Sequence, residues 1–516
     1  MVEAGMKNQV TSGRVLLKIF AFVSFFAPLV VTATPLTNGA AHDGVIQTSG
    51  DVDSFTFTAN VNDSILINVG DLSGSAFSPR IRLEDPTNNQ VKSDFGSGGA
   101  QVTHQAVLAG EYTVFVDDGS GGGTQTGAYR LHFIKAPGSL SISAGDEGGA
   151  LTNGEYEDAV QEISDLDGWQ FDADVGDTFL IGAGDTGVTA FSPRVRVYDP
   201  NGDLVTSDFG TGGGVVSAQA TIAGTYTLAV SDGSGGGTQT GTYRLHYLQA
   251  PDSFSTTAGD EGGAATNGAG HPGDIGPADI DGYTVTASVG ESIVVHAGDT
   301  GPTSFSPYIR LYDPAGNLVK SSFRSGAANV EHSATQAGKY TIAISDGSSS
   351  NAESGQYEMH LARVPGTYLT PLNDEGGVLI NGATQNGFIE VGDIDVWEFN
   401  AVVGANITLE MEDLDLNPGM SPRIRLYDPS GAQVKQSINS ALASVSHTAS
   451  VAGRYTVVLT DGSSGAALTG NYALRYTSDG EPSTTIVPFP AYGFMLFALL
   501  AAGLGARKLY TGRNPV

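Results

Sequence analysis

The chain has 516 residues and no cysteine, and its 24 Lys and Arg against 55 Asp and Glu give a formal net charge of −31. The absence of cysteine excludes disulfides, thiolate metal sites and a cysteine nucleophile. Because binding to a phosphate backbone needs a basic face, the acidic balance argues against nucleic acid as a partner. A chain of this length has room for three or four domains of ordinary size.

The first segment of the chain is typical of an export signal. A stretch with three basic residues precedes an uncharged apolar run of 13 residues at 19–31, which is too short to span a bilayer comfortably. The small residues of the sequence VTA at 31–33 form a signal-peptidase cleavage pattern. We therefore predict a signal peptide at 1–33, with a retained anchor helix as the alternative.

A repeat of 114 residues fills most of the chain. The phrase SPRIRLYDP at 421–429 has near-copies that begin at Ser78, Ser192 and Ser306. Units of this length are whole domains, because solenoid repeats run only about 20 to 45 residues. The predicted domains lie at 36–137, 138–251, 252–366 and 367–480.

Each unit is predicted to be an antiparallel β-sandwich. The sequence DSFTFTANV at 53–61 alternates apolar and polar residues, which is the period of a half-buried strand. Clusters of Gly, Asn, Asp, Ser and Pro separate such segments and are typical of turns. In the repeated phrase, Ile424 and Leu426 are expected to face a core, and DPSG at 428–431 is expected to form a hairpin turn.

One arginine recurs in every unit of this chain, which has few basic residues. The four arginines are Arg82, Arg196, Arg310 and Arg425. Two interpretations stay open for them. They form cross-strand ion pairs, worth about 0.2–1 kcal/mol each, or they form a row of guanidinium groups that binds an anionic polysaccharide.

The sequence offers no support for catalysis. It lacks a His-Glu-x-x-His zinc motif, a Gly-x-Ser-x-Gly nucleophile motif and a phosphate loop followed by Lys and Ser or Thr. His132, His246 and His360 recur 114 residues apart, but the fourth unit has Arg475 at this position. We interpret these histidines as surface strand residues, and we predict that the protein is not an enzyme. The Gly-rich sequence DGSGGGTQTG at 118–127 is interpreted as a flexible hairpin connection.

Four sequence elements in each unit resemble the bacterial pre-peptidase C-terminal domain. They are GDVDSFTF, SPRIRLYDPxG, AGTYTLAVSDGS and GxYRLH, with small variations between units. The resemblance implies a jelly-roll-like β-sandwich that is appended to secreted enzymes or serves as a non-catalytic binding or spacer module. The predicted fold class is thus all-β: four tandem antiparallel jelly-roll-like β-sandwich domains, with an N-terminal signal peptide and a C-terminal transmembrane helix.

Carboxylates recur near the start of each unit. An Asp-x-Asp precedes the first long strand, and an Asp-Glu pair lies in the lead-in of the second, third and fourth units. Calcium prefers six to eight oxygen ligands, mostly from carboxylates and carbonyls. If the first strand runs antiparallel to the Gly-x-Tyr strand, Asp167 and Asp232 are also expected to converge. The alternative is that these aspartates only cap turns through backbone amides.

The units are also similar to the collagen-binding domains of secreted collagenases. Those domains bind Ca²⁺ with an aspartate just before the first long strand and with acidic residues of the N-terminal linker. The calcium ligands that the resemblance implies are Asp53, Asp167, Asp281 and Asp395, with Asp146, Glu147, Asp260, Glu261, Asp374 and Glu375 as partners. The first unit begins with TPLTNG at 34–39 and lacks the acidic pair, which puts a site at Asp53 in doubt.

The last segment of the chain predicts a membrane span. No charged residue occurs from 486 to 506, and Arg507 and Lys508 follow, which indicates a transmembrane helix at 486–508 with a cytoplasmic stop. The sequence VPFPAYGFMLFALLAAGLGARK at 487–508 resembles the PEP-CTERM class of bacterial sorting tails, especially its Val-Pro-Leu-Pro-Ala variant, with Phe489 in place of Leu. The resemblance implies recognition by exosortase, a membrane protease-transpeptidase, and delivery to the cell surface or exopolysaccharide matrix. A plain membrane anchor is the alternative.

Taken together, these features predict a non-enzymatic structural or adhesive protein of a bacterial envelope or exopolysaccharide matrix. It is expected to be exported and at least transiently anchored in the membrane. The expected partners are an exosortase-type enzyme and polysaccharide or other surface proteins. One alternative is a calcium-dependent adhesin that binds carbohydrate or protein, and another is an accessory partner of a secreted hydrolase.

Overall fold

The structure, a computed structural model, describes residues 33–74, 76–187, 189–302, 305–372, 374–415 and 419–480. The predicted signal peptide, apart from its last residue, and the predicted transmembrane segment at 486–508 lie outside these ranges. Across the described ranges, no helix has the length and apolar character needed to cross a bilayer.

The described ranges contain strands and no helix, which confirms the all-β class, and one set of nine strands recurs four times. We call each set a module. Module 1 contains β1 Thr34–Pro35, β2 Ala40–Ile46, β3 Val52–Ala59, β4 Ser64–Asp71, β5 Pro79–Glu84, β6 Gln90–Phe95, β7 Gly99–Gln105, β8 Gly110–Asp118 and β9 Gly127–Ala136. Module 2 contains β10 Gly148–Ala150, β11 Tyr156–Gln161, β12 Leu166–Ala173, β13 Thr178–Asp185, β14 Pro193–Tyr198, β15 Leu204–Phe209, β16 Gly213–Gln219, β17 Gly224–Asp232 and β18 Gly241–Ala250.

The remaining strands follow the same order. Module 3 contains β19 Gly262–Ala264, β20 Gly270–Ile275, β21 Ile280–Ala287, β22 Ser292–Asp299, β23 Pro307–Tyr312, β24 Leu318–Phe323, β25 Ala327–Ser333, β26 Gly338–Asp346 and β27 Gly355–Val364. Module 4 contains β28 Gly376–Val378, β29 Thr384–Ile389, β30 Asp395–Ala401, β31 Asn406–Asp413, β32 Pro422–Tyr427, β33 Gln433–Ile438, β34 Leu442–Thr448, β35 Gly453–Asp461 and β36 Gly470–Ser478. The strands of modules 2, 3 and 4 lie within the predicted domains at 138–251, 252–366 and 367–480, whose limits stay predictions.

Each module is a sandwich of one five-stranded and one four-stranded sheet. In module 2 the strand orders are β10-β12-β17-β14-β15 and β11-β18-β13-β16, and the other modules repeat them. The paired antiparallel sheets confirm the sandwich prediction. One pairing differs from the predicted antiparallel arrangement, because the short β10 pairs with β12 in parallel. The chain crosses to the other sheet as β11 before it returns as β12, so that β10 and β12 enter their sheet in the same direction.

The repeated phrase is a strand followed by a hairpin turn, as predicted. In module 4 it forms β32, in which Ile424 and Leu426 are buried in the core. The backbone amides of Ser430 and Ala432 donate to the Asp428 carboxylate and hold the turn that leads to β33. The phrase is therefore part of the architecture of each module.

Each module has its own core between its two sheets. In module 2 the rings of Phe171 and Tyr226 stack with centroids 5.4 Å apart, and Trp169 lies in the same core. The Tyr226 hydroxyl donates to the carbonyl of Ile222, which anchors the start of β17. The Gly-x-Tyr motif thus supplies a buried ring with a satisfied hydroxyl.

Further apolar clusters lie between consecutive modules, where the outer face of each four-stranded sheet packs on the five-stranded sheet of the next module. Between modules 2 and 3, Leu180 and Leu248 pack with Ile280 and Tyr312, and all four are buried. This packing explains why every residue of β13 is buried, since one face covers the core and the other covers module 3. Each such aliphatic side chain contributes about 1.5–3 kcal/mol.

The junctions repeat one geometry. The Thr178 hydroxyl of module 2 donates to the carbonyl of Gly316 in module 3 over 2.7 Å. At the next junction the Ser292 hydroxyl donates to the carbonyl of Gly431 over 2.9 Å. Because equivalent residues make equivalent contacts, these modules are stacked in the same way from one junction to the next.

An aspartate at the end of each Gly-x-Tyr strand holds the Gly-rich loop. In module 2 the Asp232 carboxylate accepts hydrogen bonds from the backbone amides of Ser234 and Gln239 and from the Ser234 hydroxyl. The interpretation of these loops as hairpin connections is wrong, because the two strands that each loop joins, β17 and β18 in module 2, lie in different sheets. The two strands run antiparallel as expected, with the start of β12 beside the end of β17, but among the described residues Asp232 belongs to no group with Asp167 that fits a metal ion.

We expect Asp232→Ala to lower the free energy of unfolding by about 2–4 kcal/mol, because the three loop donors and the backbone amide of Ser192 lose a charged acceptor. Denaturant unfolding of the intact chain measures this change. The control is Asp174→Ala, which replaces an exposed aspartate of the same module and is expected to change stability by less than about 0.5 kcal/mol. An Asp232→Ala chain as stable as the control would contradict the structural role of the loop.

Candidate metal centres at the module junctions

The parallel pairing at the start of each module brings acidic residues together. Gly148 of β10 pairs with Gly168 of β12 in parallel register, so the residues just before them, Glu147 and Asp167, emerge side by side. Modules 3 and 4 have the same parallel register. The acidic pairs before the modules therefore meet the aspartates at the start of the long strand.

The predicted ligands of modules 2, 3 and 4 form three clusters. In each cluster, one carboxylate oxygen per residue lies within 4.8 Å of the others, which is twice a Ca²⁺–oxygen distance of about 2.4 Å. The clusters are Asp146, Glu147, Asp165 and Asp167; Asp260, Glu261 and Asp281; and Asp374, Glu375 and Asp395. One cation is within reach of every member of a cluster.

The aspartates at the start of the long strands are buried and incompletely hydrogen-bonded. Asp167 is 1% exposed and Asp281 is fully buried. The hydroxyls of Tyr243 and Tyr357 donate to Oδ2 of Asp167 and Asp281, respectively. Oδ1 of each carboxylate has no hydrogen-bond partner. A buried anionic oxygen without a partner is costly, so the site favours a ligand that accepts its lone pairs.

The pKa values of these carboxyl groups are raised. Burial, with the charges of neighbouring carboxylates, raises the pKa of Asp167, Asp281 and Asp395 well above the usual value. Burial also raises the pKa of Asp260 to about 6. Such groups are stabilised by protons or by a cation, and an all-oxygen set suits a hard divalent ion. The residues present therefore fit calcium.

Module 1 lacks half of this arrangement. Asp53 accepts a hydrogen bond from the Tyr129 hydroxyl over 2.7 Å, as Asp167 and Asp281 do from their tyrosines. The sequence before β1, VTA at 31–33, carries no acid. Among the described residues, Asp53 belongs to no group that fits a metal ion. The doubt that the sequence raised about Asp53 is therefore justified.

An imidazole from the preceding module pairs with the aspartate that lies two residues before the long-strand aspartate of each cluster. Nδ1 lies 2.9, 2.9 and 3.2 Å from Oδ1 of an aspartate in the next module, in the pairs His132–Asp165, His246–Asp279 and His360–Asp393. These histidines are at most 7% exposed, so the interpretation as surface residues is wrong. The next module covers the strand face on which they lie. In module 4, which no described module follows, Arg475 stands at this position with its side chain 58% exposed.

Three of the four recurring arginines are buried in the junctions. Arg196, Arg310 and Arg425 are at most 9% exposed. Arg196 donates to the hydroxyl of Thr103 in module 1, and Arg425 lies 3.3 Å from the carboxylate of Glu331 in module 3. The preceding module covers the sheet face that carries these arginines. The prediction of a polysaccharide-binding row is therefore wrong for these three.

The fourth arginine lies on the outer sheet face of module 1, which no other described module covers. Arg82 forms an ion pair with Asp117 on the neighbouring strand over 3.0 Å, and its side chain is 26% exposed. This contact agrees with the cross-strand interpretation. The pair is partly solvated, so its contribution to stability is small.

Open cavities lead to two of the clusters. The cavity between modules 1 and 2 has a volume of about 340 Å³ and is lined by residues that include Asp43, Arg130, Asp146 and Glu147. The cavity between modules 3 and 4 has a volume of about 330 Å³ and is lined by residues that include His360, Asp374, Glu390 and Asp393. Both cavities are lined by acidic residues of the junctions and are open, so the clusters beside them are accessible from outside.

Solved structures that are similar to parts of this chain match about one module or a larger share of the chain. The pre-peptidase C-terminal domain of collagenase from Bacillus anthracis is 17% identical over 20% of this chain and 94% of that domain, with a TM-score of 0.18. Aeromonas hydrophila PliG, a periplasmic inhibitor of g-type lysozyme, is 15% identical over 20% of this chain and 98% of PliG, with a TM-score of 0.17. A triple jelly roll protein of an archaeal virus is 10% identical over 61% of this chain and 84% of that one, with a TM-score of 0.17. No family model and no curated protein sequence matches the chain.

Proposed function

We propose that this protein is a non-enzymatic structural spacer, exported to a bacterial cell surface or exopolysaccharide matrix. The observation that carries the proposal is the apolar junction, which recurs between consecutive described modules. Domains that are joined only by linkers move independently by default. Modules that share buried apolar clusters keep a fixed relation, so the stack holds module 1 and module 4 at a set separation.

The faces at the two ends of the stack support this role. The outer sheet face of module 1, which no other described module covers, carries the ion pair of Arg80 with Asp117 over 2.6 Å. The uncovered face of module 4 carries Glu412 and Arg475, whose charged atoms lie 3.8 Å apart. Repeats at the ends of a stack need polar outer faces to stay soluble. Polar end faces also disfavour continued stacking of one chain on another.

Calcium is the ion that we propose for the three junction clusters. It would be held by the lead-in acids and by the aspartates at the start of β12, β21 and β30. When bound, it supplies positive charge to carboxylates that are otherwise buried together. The protein then folds with its junction charges compensated, which suits a medium rich in divalent cations.

We expect the calcium affinity to increase as the pH rises from 5 to 7. Burial raises the pKa of Asp260 to about 6, so below this pH a proton occupies the group that calcium must use. Each displaced proton changes the apparent affinity by about tenfold per pH unit until the pH exceeds the raised pKa. Isothermal titration calorimetry at constant ionic strength measures this trend. An affinity that does not change between pH 5 and 8 would contradict the raised pKa values.

Export and surface delivery are proposed from the sequence of the two end segments. The segment at 1–33 supplies the export signal, and the tail at 487–508 supplies the signal that an exosortase-type enzyme recognises. In a host with exosortase, protease added outside the cells is expected to degrade the intact chain. A chain without residues 487–516 is expected in the medium instead. Retention of both chains inside the cell would contradict the proposal.

Adhesion to polysaccharide is a second candidate function, favoured by exposed aromatic rings at one repeated position. Phe95, Phe209 and Phe323 are 61%, 56% and 60% exposed and end equivalent strands of modules 1 to 3. The Arg194 guanidinium lies over the Phe209 ring, 4.9 Å from its centroid. A glycan array with the intact chain and with the triple Phe→Ala variant tests this role. Adhesion predicts glycan binding that the triple variant loses, and equal signals from both chains would contradict it.

A further inference from the structure

At each junction, two modules contribute to the environment of the cluster. One nitrogen of His132 in module 1 and one oxygen each of Asp146 and Asp165 in module 2 lie within 4.8 Å of one another. His246, Asp260 and Asp279 form the equivalent group at the next junction. At the third junction, His360 lies beside Asp393, and both line the cavity that also contains Asp374.

Module 1 fixes the position of Asp165 through two contacts. Nδ1 of His132 lies 2.9 Å from Oδ1 of Asp165, a distance at which the imidazole N–H donates to the carboxylate. The Asn68 amide of module 1 donates to the backbone carbonyl of Asp165 over 3.1 Å. Asp165 also accepts a hydrogen bond from the backbone amide of Leu166 over 2.7 Å. The carboxylate is therefore oriented in part by a neighbouring module.

Asp165 is also a member of the cluster that fits a cation. Its carboxylate lies with those of Asp146, Glu147 and Asp167. Oδ1 of Asp167 is buried and has no hydrogen-bond partner. A carboxylate ligand that is held by an outer hydrogen bond binds a metal more tightly than a free one, and loss of that bond costs about 10–100-fold in affinity. The imidazole is thus placed to act on the cation site through Asp165.

We infer that the three cation sites are shared between modules, with the histidine of each preceding module as a positioning residue for the site of the next. This inference rests on the calcium sites proposed above. Cation binding then strengthens module docking, and module docking strengthens cation binding. By linkage, the two equilibrium constants change by the same factor. Removal of calcium loosens the junctions while each module keeps its own core.

The distribution of residues along the chain agrees with this arrangement. The histidines occur in modules 1 to 3, whereas the acidic pairs precede modules 2 to 4. Module 4 has an acidic pair before it but Arg475 in place of the histidine, and module 1 has the histidine but no acidic pair before it. The two sets are offset by one module, as a contact between neighbours requires.

The test compares three variants of the intact chain in calcium titrations. His132→Ala removes the donor, and His132→Asn keeps an N–H donor that reaches toward Asp165. His104→Ala is the matched control, because His104 is a partly exposed histidine of the same module outside the junction cluster. Calorimetry gives the number and affinity of sites, and hydrogen exchange with and without calcium reports protection of residues 138–147 and of β4 and β9.

We expect three calcium sites in the natural chain and in His104→Ala. In His132→Ala, one site is expected to weaken by about 10–100-fold, with loss of calcium-dependent protection at the first junction alone. His132→Asn is expected to restore part of the calcium affinity and part of the calcium-dependent protection. If a His132→Ala chain loses protection throughout module 1, His246→Ala replaces it and the same readings apply at the second junction.

Two different results would overturn the inference. If the natural chain binds no calcium, the calcium proposal is wrong and the inference fails with it. If the natural chain binds three ions and His132→Ala binds them with unchanged affinity and unchanged protection, the calcium proposal stands and the shared site alone is wrong.

Discussion

We expect Leu180→Asp to open the junction between modules 2 and 3 while both modules stay folded. Leu180 is fully buried, on the outer face of β13, against Ile280 and Tyr312 of module 3. Its neighbours Phe179 and Ile181 face the core of module 2 instead. A buried carboxylate without a partner and the loss of an apolar side chain together cost at least about 4 kcal/mol. Undocking of the two modules relieves that cost.

Small-angle X-ray scattering of the intact chain is expected to show a larger and more variable conformation for Leu180→Asp, with hydrogen-exchange protection retained in the core strands. Leu204→Asp is the matched control, because Leu204 is 53% exposed in the same module. The control is expected to scatter as the natural chain does. A Leu180→Asp chain with unchanged scattering, or with an unfolded module 2, would contradict the role assigned to this face.

We expect the effect of Asp167→Asn on the free energy of unfolding to have opposite signs with and without calcium. Calcium at 100 times its dissociation constant stabilises a site by about 2.7 kcal/mol, and the substitution removes this from module 2. Without calcium, the folded pKa of Asp167 lies above the unfolded value, so the ionised carboxylate destabilises the folded state at pH 7. Stability from this group is greatest at low pH and falls as the pH rises through the raised pKa. Asp167→Asn is therefore expected to stabilise the calcium-free chain and to destabilise the calcium-loaded chain.

Thermal unfolding at pH 7 measures the change in stability that the substitution causes, once with calcium and once with a chelator. Asp53→Asn is the matched control, because module 1 has the same aspartate and tyrosine without the acidic pair. Its effect is expected to be the same in both conditions. If Asp167→Asn destabilised the chain equally with and without calcium, Asp167 would serve as a turn cap, and the metal proposal would lose its principal residue.

Much of each module could be predicted from its local sequence pattern. The alternation in DSFTFTANV and the DPSG turn reflect short-range chemistry, and both led to the correct strands and hairpin. The family resemblance also named the carboxylates that meet in the clusters, apart from Asp165, which it did not name, and their role as calcium ligands stays a prediction. The reason that they meet, the parallel register of β10 with β12, could not be predicted, since it depends on a crossover between sheets.

The errors concerned residues that face a neighbouring module. Arg196 and His246 lie on outward faces, where a single module would expose them, and a second module covers them. The nearly continuous apolar run of β13 was a usable signal, because a strand that is apolar on both faces is covered on both. The offset between the histidines and the acidic pairs was a second signal. Neither signal is visible when one module is considered alone.

The most direct test of the account measures distances between equivalent positions of neighbouring modules. Val175, Val289 and Val403 occupy equivalent turns and are 67%, 66% and 65% exposed. Because the natural chain has no cysteine, cysteine pairs at 175/289 and at 289/403 accept spin labels without interference. Pulsed electron spin resonance is predicted to give one narrow distance distribution that is the same for both pairs. Broad distributions, or two different distances, would contradict a stack of modules joined by one repeated junction.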